Sequence, residues 1–290
     1  MTRDVVLVVN PESGGGKGRR LAPRVLRALR DTGWRVTARE SRDMDDVEEL
    51  VAALTGDQVV AVVGGDGTQG RAAAGAFRSG ALFAPLPGGR GNDFCRVLGV
   101  PRDAVAAARA LADGSERRVD AGMAGHRLFV CVAHAGFDSV ANETANSTPV
   151  LRGTPVYLYA AMRTVVDWEP ATFTVDVGEG PCDYPGWTVA VGNAGQYGGG
   201  MRITPAAAID DGILDVTIAG DITRIEFLQL LPRIFNGSHV NHPKVTTLTG
   251  REITLSASRP FDVYADGELV GPLPMTIRSM PNALRVLGGR

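Results

Sequence analysis

Apolar runs along the first part of the chain alternate with segments in which apolar positions recur every three or four residues. The runs at residues 5–9, 58–63 and 81–86 have the length of buried parallel strands, and a shorter strand is predicted at 35–39. Helical spacing follows at residues 21–29, 43–54, 72–77 and 103–112. Strand and helix alternate four times, which predicts an α/β domain with an open parallel sheet.

The pattern changes after Gly114, where strand signals become frequent and helical signals rare. Strands are predicted at residues 117–121, 128–133, 172–177, 187–192, 214–219, 245–248, 252–256, 261–265 and 275–278. Helices are predicted only at 155–166 and 223–235, where Thr223 and Glu226 form a capping box. We therefore expect a second, mainly antiparallel β-sandwich domain. The predicted domains are residues 1–116 and 117–282, and a last strand within 283–290 is placed to rejoin the first domain.

Composition narrows the class of protein. The chain has 290 residues with a net charge of −2 and charges of both signs interspersed, so no overall electrostatic footprint for nucleic acid exists and no nucleic-acid partner is expected. Its three cysteines are far apart, which fits a reducing compartment and no structural zinc site. There is no charged leader before an apolar region, and no run of about 18 apolar residues. We expect a cytoplasmic protein.

Glycine-rich loops follow three of the predicted strands, at residues 10–18, 64–68 and 87–94. The carboxyl ends of parallel strands share one edge, so the loops are predicted to converge on one crevice. Glycine lets a backbone approach a ligand closely, and amides at the start of the next helix favour an anion. For the first loop, which departs from the P-loop pattern around Lys17, a flexible turn is an equal alternative.

The three loops together resemble those of a known family. Asn10-Pro11-x-Ser13-Gly14, Gly64-Gly65-Asp66-Gly67-Thr68 and Gly89-x-Gly91-Asn92-Asp93-Phe94 resemble motifs of the diacylglycerol kinase catalytic family, which includes sphingosine and ceramide kinases. The soluble bacterial lipid kinases of that family look most similar, over essentially the whole chain. The resemblance implies an N-terminal domain like those of phosphofructokinase and NAD kinase. It also implies that ATP is bound by Asn10, Ser41, Gly64, Gly65, Asp66, Gly67, Thr68, Gly89, Arg90 and Asn92.

Within that set the resemblance assigns particular roles. Backbone amides of the Gly64–Thr68 loop would wrap the phosphates, and Asp66 would face the transferred phosphoryl group or its metal. Two positions depart from the family pattern, because Gly70-Arg71 stands where the family commonly has Asn-Glu and Arg90 stands where it has Thr. We expect both guanidinium groups near the phosphate site. Arg90 could bind phosphate, pair with Asp66 or Asp93, or face solvent, and an inactive family member is an alternative.

Two later motifs resemble the family's metal and base positions. The resemblance implies a Mg²⁺ ion held by the Asp211 carboxylate and the carbonyls of Ala208 and Ile213, with Asp120 reaching it through water. The alternative for Asp211-Gly212 is a plain β-turn that leads into the strand at 214–219. A turn and a metal site are compatible with each other. The resemblance also makes Glu268 the general base on the lipid hydroxyl. The preceding Asp266-Gly267 is itself a strong hairpin signal.

The sequence thus predicts an ATP- and Mg²⁺-dependent kinase that phosphorylates the hydroxyl of a lipid such as diacylglycerol. Its expected partner is the lipid substrate at a membrane surface, with peripheral association at the inner membrane face, and a homodimer is left open. The alternatives are an NAD kinase-like enzyme and a non-catalytic nucleotide- or lipid-binding protein. Asp66→Asn and Glu268→Gln are each predicted to abolish transfer while leaving the fold intact.

Overall fold

The computed structural model describes residues 3–140, 164–165 and 167–288, so the helix predicted at 155–166 lies almost wholly outside the described residues. The first part of the chain forms β1 (Asp4–Val9), α1 (Ser13–Asp31), β2 (Arg35–Glu40), α2 (Met44–Ala52), β3 (Val59–Gly64), α3 (Asp66–Ser79), β4 (Leu82–Pro87), α4 (Asp93–Val97) and α5 (Ala104–Ala110). Strands β2-β1-β3-β4 pair in parallel in that order. The predicted α/β domain is confirmed.

Helix starts follow the local signals. The side chain of Asp43 accepts a hydrogen bond from the amide of Asp46, and that of Asp103 accepts one from Ala106, so each aspartate caps the start of its helix. Helix α1 starts at Ser13, earlier than apolar spacing predicts, but Gly14, Gly15 and Gly16 have left-handed, non-helical backbone, so the regular part of the helix begins after them. Helix α4 lies inside a predicted loop, and its five residues are too few for a periodic signal.

The second part of the chain is built almost entirely from antiparallel strands. These are β5 (Ser115–Ala124), β6 (Arg127–Phe129), β7 (Val132–Gly136), β8 (Ala171–Asp176), β9 (Cys182–Gly186), β10 (Thr188–Gly192), β11 (Leu214–Ala219), β12 (Val245–Gly250), β13 (Glu252–Ala257), β14 (Asp262–Ala265), β15 (Glu268–Pro272) and β16 (Met275–Gly288). A capping box begins α6 (Arg224–Ile234), and a 3₁₀ turn spans Ser238–Asn241. The predicted antiparallel sandwich is confirmed.

Two sheets form the layers of the sandwich. One is a six-stranded antiparallel sheet in the order β12-β11-β10-β7-β14-β15, and the other is part of a ten-stranded sheet. Their shared core is rich in packed aromatic rings: Trp187 stacks on Phe227, and Phe137 is tilted against both. Strands β9 and β15 escape prediction because both are edge strands with at most one buried residue and an internal Pro or Gly.

The ten-stranded sheet runs through both parts of the chain. Strand β16 pairs antiparallel with β5 and β13, and beyond an irregularity between Met280 and Leu284 its residue Val286 lies parallel to Phe83 of β4. The two short strands predicted at 275–278 and within 283–290 are therefore one strand. The division of the chain after residue 116 stays a prediction. In the described part of the chain, no helix combines the length and apolarity needed to cross a bilayer.

Candidate active site

The three glycine-rich loops lie against one another at the carboxyl ends of β1, β3 and β4. The hydroxyl of Ser13 accepts a hydrogen bond from the amide of Gly65 at 2.8 Å. The amide of Gly88 donates to the carbonyl of Gly64, also at 2.8 Å. The Asn10 side chain donates to the hydroxyl of Thr68 at 3.3 Å. The predicted convergence of the loops is thus what the structure shows.

Their approach is too close for side chains at several positions. A Cβ atom added at Gly89 would lie 2.4 Å from the Cα of Gly65, and one added at Gly91 would lie 2.3 Å from a carboxylate oxygen of Asp66. Both distances are far below van der Waals contact. Glycine is therefore required here for space, in addition to any contact with a ligand.

The carboxylate of Asp66 ties the second loop to the third. Its two oxygens accept the amides of Asn92 at 2.9 Å and Asp93 at 2.6 Å, at the start of α4. The Asn92 side chain closes its own loop by accepting the amide of Gly89 at 2.8 Å, with its backbone in the left-handed region. Asp66 and Asn92 therefore shape the loops in this structure. Arg90 is exposed and forms no ion pair with described residues.

Free donors remain at the start of α3. The N-cap, Gly65, has no side chain, and within the described part of the chain the amides of Asp66, Gly67 and Thr68 have no hydrogen-bond acceptor. Such an uncapped helix start favours an anion. The amide of Gly65 is already donated to Ser13. Ser41 directly follows β2, the strand that pairs with β1. Ser41 is 3% exposed, and its hydroxyl has no hydrogen-bond partner among the described residues.

Glu268 is brought to these loops by the β14–β15 hairpin. The two turn residues, Asp266 and Gly267, have φ values of 48° and 84°, as a two-residue hairpin turn with positive φ at both positions requires. The hairpin predicted from Asp-Gly is confirmed. A Cβ atom added at Gly67 would lie 3.4 Å from Oε1 of Glu268, so the carboxylate is next to the first turn of α3.

Two arginines hold the other oxygen of this carboxylate. Arg71 lies 3.1 Å from Oε2 of Glu268, and Arg127 pairs with the same atom. Arg71 also pairs with Asp45 at 3.0 Å and with Glu48 at 3.3 Å. These ion pairs direct the Arg71 side chain to Glu268, beside Gly67, and to α2. That Arg71 lies near the phosphate site stays a prediction. Burial tends to lower the pKa of Arg71, but the carboxylates outweigh it and raise the pKa above its usual value.

Asp266 has a role beyond the turn. Its carboxylate accepts the amides of Val130, Cys131 and Val132 at 2.7, 2.9 and 3.1 Å, which fastens the hairpin to the link between β6 and β7. Burial raises the pKa of Asp266 to about 6, although these three hydrogen bonds act in the opposite direction. Neither this role nor that of Arg127 has a local sequence signal, because both depend on residues far away along the chain.

A pocket of about 310 Å³ opens beside Glu268, between α3, the β5–β6 hairpin and the β14–β15 hairpin. Ala74, Phe77, Met123 and Leu128 supply apolar lining. Arg71, Arg127 and Glu268 supply charge at the end nearest Gly67. The pocket therefore combines an apolar wall with a carboxylate next to the glycine-rich loops.

The predicted metal loop adopts the turn expected of Asp-Gly. Gly212 has a φ of 75°, and an oxygen of the exposed Asp211 accepts the amide of Ile213 at 3.0 Å. Asp120 is buried, and its oxygens accept the amides of Gly212 at 2.6 Å and Asn282 at 2.7 Å. Within the described ranges no group of three or more His, Cys, Asp or Glu side chains could hold a metal.

One electrostatic observation nevertheless fits a cation here. Asp215 has a raised pKa, chiefly because of burial and in addition because of the charge of Asp211. Asp211 and Asp215 thus repel each other, and a hydrated divalent cation bound by carboxylate oxygen would reduce this repulsion. Asp120, whose oxygens are occupied by amides, would act on such an ion indirectly.

Comparisons with known proteins cover almost the whole chain. The diacylglycerol kinase catalytic domain matches residues 4–124, and the YegS C-terminal NAD kinase beta sandwich-like domain matches residues 131–288. A protein of Mycobacterium tuberculosis named "Diacylglycerol kinase" is 32% identical over 99% of this chain and 95% of its own length. A protein of Pseudomonas aeruginosa named "Probable lipid kinase YegS-like" is 31% identical over 97% of this chain and 93% of its own.

A solved structure agrees at the level of the fold. The crystal structure of a diacylglycerol kinase from Bacillus anthracis has a TM-score of 0.78 and 19% identity, and the match covers 99% of this chain and 97% of that one. An α/β domain with converging glycine loops, facing a β-sandwich that delivers a carboxylate, defines a two-domain phosphotransferase. The chain belongs to the diacylglycerol kinase catalytic domain family and is a lipid kinase. Membership of a kinase family implies the use of ATP.

Proposed function

We propose that this lipid kinase phosphorylates the free hydroxyl of diacylglycerol at a membrane surface, with Mg²⁺ as the metal and Glu268 as the general base. The curated relatives that cover the whole chain are named for diacylglycerol or lipid kinase activity, which supports this class of acceptor. The NAD kinase alternative has support only from the likeness of the sandwich domain.

One observation carries the assignment of the base. Oε2 of Glu268 is held by Arg71 and Arg127, whereas Oε1 makes no hydrogen bond within the described part of the chain and lies next to Gly67. The carboxylate is thus fixed by one oxygen and free to accept a proton at the other. A hydroxyl in the adjacent pocket would lie between this oxygen and the loops, as a general base requires.

The loops would bind the phosphates of ATP, which supplies the phosphoryl group when bound. The unused amides of Asp66, Gly67 and Thr68 supply neutral donors and the positive end of the α3 dipole. These groups are fixed by the packing of the loops before any substrate arrives. Fixed donors of this kind account for most of the catalysis of phosphoryl transfer, because they stabilise charge without reorganising.

The pocket beside Glu268 suits the polar end of a lipid. Its volume of about 310 Å³ is at the lower end of the range for small-ligand sites. It is large enough for a glycerol group and the first atoms of its ester chains, with Phe77 and Leu128 as apolar walls. The remainder of two long acyl chains exceeds this volume and would stay in the bilayer. This size supports transfer at a membrane surface.

The Asp211 loop is the proposed Mg²⁺ site, with the carbonyls of Ala208 and Ile213 as further ligands. A divalent ion there would neutralise the repulsion between Asp211 and Asp215. We expect Asp211→Ala to raise the Mg²⁺ concentration for half-maximal activity about ten-fold or more, as measured by titration of Mg²⁺ at saturating ATP. An unchanged Mg²⁺ requirement would show that the ion does not bind at the Asp211 loop.

The test of the proposed function is the Glu268→Gln variant, assayed with labelled ATP and dioctanoylglycerol, with mass spectrometry of the product. We expect a decrease in kcat of roughly 10²- to 10⁴-fold with ATP affinity unchanged. The matched control is Glu252→Gln, because Glu252 is an exposed carboxylate that also pairs with an arginine, and its kcat should stay at the wild-type value. Wild-type turnover of NAD and of no lipid would contradict the proposal, as would an active Glu268→Gln variant.

A further inference from the structure

Helix α6 presents an apolar stripe to solvent. Five large apolar side chains are exposed among the described residues, and three of them lie on or directly after this helix: Ile225 at 69%, Leu228 at 37% and Phe235 at 62%. With the exposed Pro232, their spacing places them on one face. The opposite face carries Phe227 and Leu230, which are buried in the sandwich core. One apolar face of α6 is therefore buried in the core, and the other apolar face is exposed to solvent.

Positive charge flanks the stripe. Arg224 and Arg233 are exposed at opposite ends of α6, and neither pairs with a carboxylate in the part of the chain that the structure describes. The one acidic residue of the helix, Glu226, is occupied by the capping box and by Lys244 at 3.1 Å. Arg224 donates a hydrogen bond to the carbonyl of Trp168 at 3.1 Å, which leaves its charge without a carboxylate partner among the described residues. An apolar stripe flanked by two such arginines is the composition of a helix that lies in the interface of a bilayer.

The helix is also joined to the active site. The carbonyl of Ile234, its last residue, accepts the amide of Arg202 at 2.9 Å. The glycine-rich segment immediately before Arg202 reaches the nucleotide loops, because the amide of Gly199 donates to the carboxylate of Asp93 at 2.7 Å. A surface held by α6 would therefore be held in a defined orientation relative to the third loop.

We propose that α6 docks the protein on a bilayer that contains anionic lipids, with the stripe inserted among the head groups and Arg224 and Arg233 against lipid phosphates. The inference rests on the proposed function in that a lipid kinase must reach its acceptor in a membrane. A second copy of this chain suits the stripe less well. A twofold contact would bring like-charged arginines together, and three side chains cover far less than the roughly 1,000 Å² expected of a stable interface.

The experiment compares flotation of the full chain with vesicles of phosphatidylcholine alone and of phosphatidylcholine with phosphatidylglycerol. We expect wild-type protein to bind the anionic vesicles, and Ile225→Ser/Phe235→Ser to need at least ten-fold more lipid for the same binding. Arg233→Gln should lose the preference for phosphatidylglycerol. The matched control, Gln229→Ser, changes an exposed polar residue of the same helix and should bind like wild type.

Activity separates docking from misfolding and from failure of the proposed function. Phosphorylation of monomeric dioctanoylglycerol should be unchanged in the double variant, whereas phosphorylation of long-chain acceptor in vesicles should decrease by ten-fold or more. If the wild-type protein phosphorylates neither acceptor, the proposed function is wrong. Membrane docking by α6 is then tested by the flotation experiment alone. Wild type that does not float, a double variant that floats equally well, or a dimer that the double substitution converts to monomer would each overturn the proposal.

Discussion

The glycine loops and the Glu268 hairpin meet at Gly67, but different interactions hold them in place. The loops are fixed by close backbone contacts and by hydrogen bonds from backbone amides. The Ser13 hydroxyl and the Asp66 carboxylate are among the acceptors of these bonds. Glu268 is fixed by ion pairs with Arg71 and Arg127, which lie 197 and 141 positions away along the chain. One side of the site depends on space, and the other depends on charge.

This difference determines what each side tolerates. Where two backbones approach within a few ångströms, only glycine fits, so the residue type is dictated locally. Where a carboxylate must be held, any suitably placed cation serves. Arg71 stands where the family resemblance leads one to expect Glu, and yet it contributes to an ordered site through Glu48, Asp45 and Glu268. A departure from the family pattern on this side is therefore compatible with function.

Among variants that change how the two sides are held in place, the largest effect is expected where the loops pack closely against each other. In Gly89→Ala, the new Cβ would lie 2.4 Å from the backbone of Gly65, which cannot move aside as a flexible side chain would. We expect a loss of about 1–3 kcal/mol in the free energy of unfolding and a decrease in kcat of about 100-fold, because the loops must separate. Urea denaturation and a kinase assay measure the two effects.

The control for this prediction is Gly70→Ala in α3. A Cβ there would lie 3.6 Å from its nearest neighbour, an oxygen of Asp266, which is ordinary contact. Alanine is also the better helix former by about 1 kcal/mol, so the variant should be at least as stable as wild type. Equal stability of the Gly89 and Gly70 variants would show that close packing does not hold the loops.

The next largest effect concerns Asp66, for which the sequence predicts lost transfer and an intact fold. Asparagine keeps one acceptor oxygen, whereas the structure requires two, for the amides of Asn92 and Asp93. We now expect Asp66→Asn to destabilise the protein by about 1–3 kcal/mol as well as to lower kcat. Asp262→Asn, at an exposed position, is the control. If Asp66 acts only on the phosphoryl group, thermal unfolding of the two variants will be indistinguishable.

Most of the fold and one side of the site could be predicted from the sequence. The strands of the α/β domain are continuous apolar runs, and the glycine loops have motifs that locate them at strand ends. Strands β9 and β15 could not be predicted, because pairing with a neighbour, rather than their own pattern, makes them strands. The continuity of β16 across an irregular middle segment is likewise set by its partners β5 and β13.

The charged side of the site could be predicted from the sequence only in part. Glu268 is identified through the family motif, but nothing next to it along the chain indicates what fixes its orientation. Arg127 follows an ordinary tight turn, and the sequence predicts for Arg71 only a guanidinium near the phosphate site. Ion pairs between distant residues leave no periodic or local trace, because either partner alone resembles an exposed charge.

A third, smaller effect tests whether charge holds the base. We expect Arg71→Gln to lower kcat about ten-fold with the KM for ATP unchanged, and Arg71→Lys to restore part of the loss. Arg127→Gln should behave similarly, and the double variant should lose less than the product of the two, because both arginines hold the same oxygen. Arg278→Gln, in an exposed pair with Glu252, is the control. An increase in the KM for ATP would instead show that Arg71 contributes to ATP binding.

The smallest effect concerns Asp93, the carboxylate through which the third loop contacts the second half of the chain at Gly199. Burial raises the pKa of Asp93 above its ordinary value, so the folded state holds a proton more tightly than the unfolded chain, whose aspartates titrate near about 3.9. Between the two values the folded protein binds more protons, and this residue's contribution to stability decreases as the pH rises. An asparagine at this position would retain an acceptor for the amide of Gly199 and carry no charge. We therefore expect the stability of Asp93→Asn relative to wild type to increase from pH 4 to pH 8, as followed by the midpoint of urea unfolding. A relative stability that decreases over this range would show that the contact between the halves depends on charge, as the Glu268 side does.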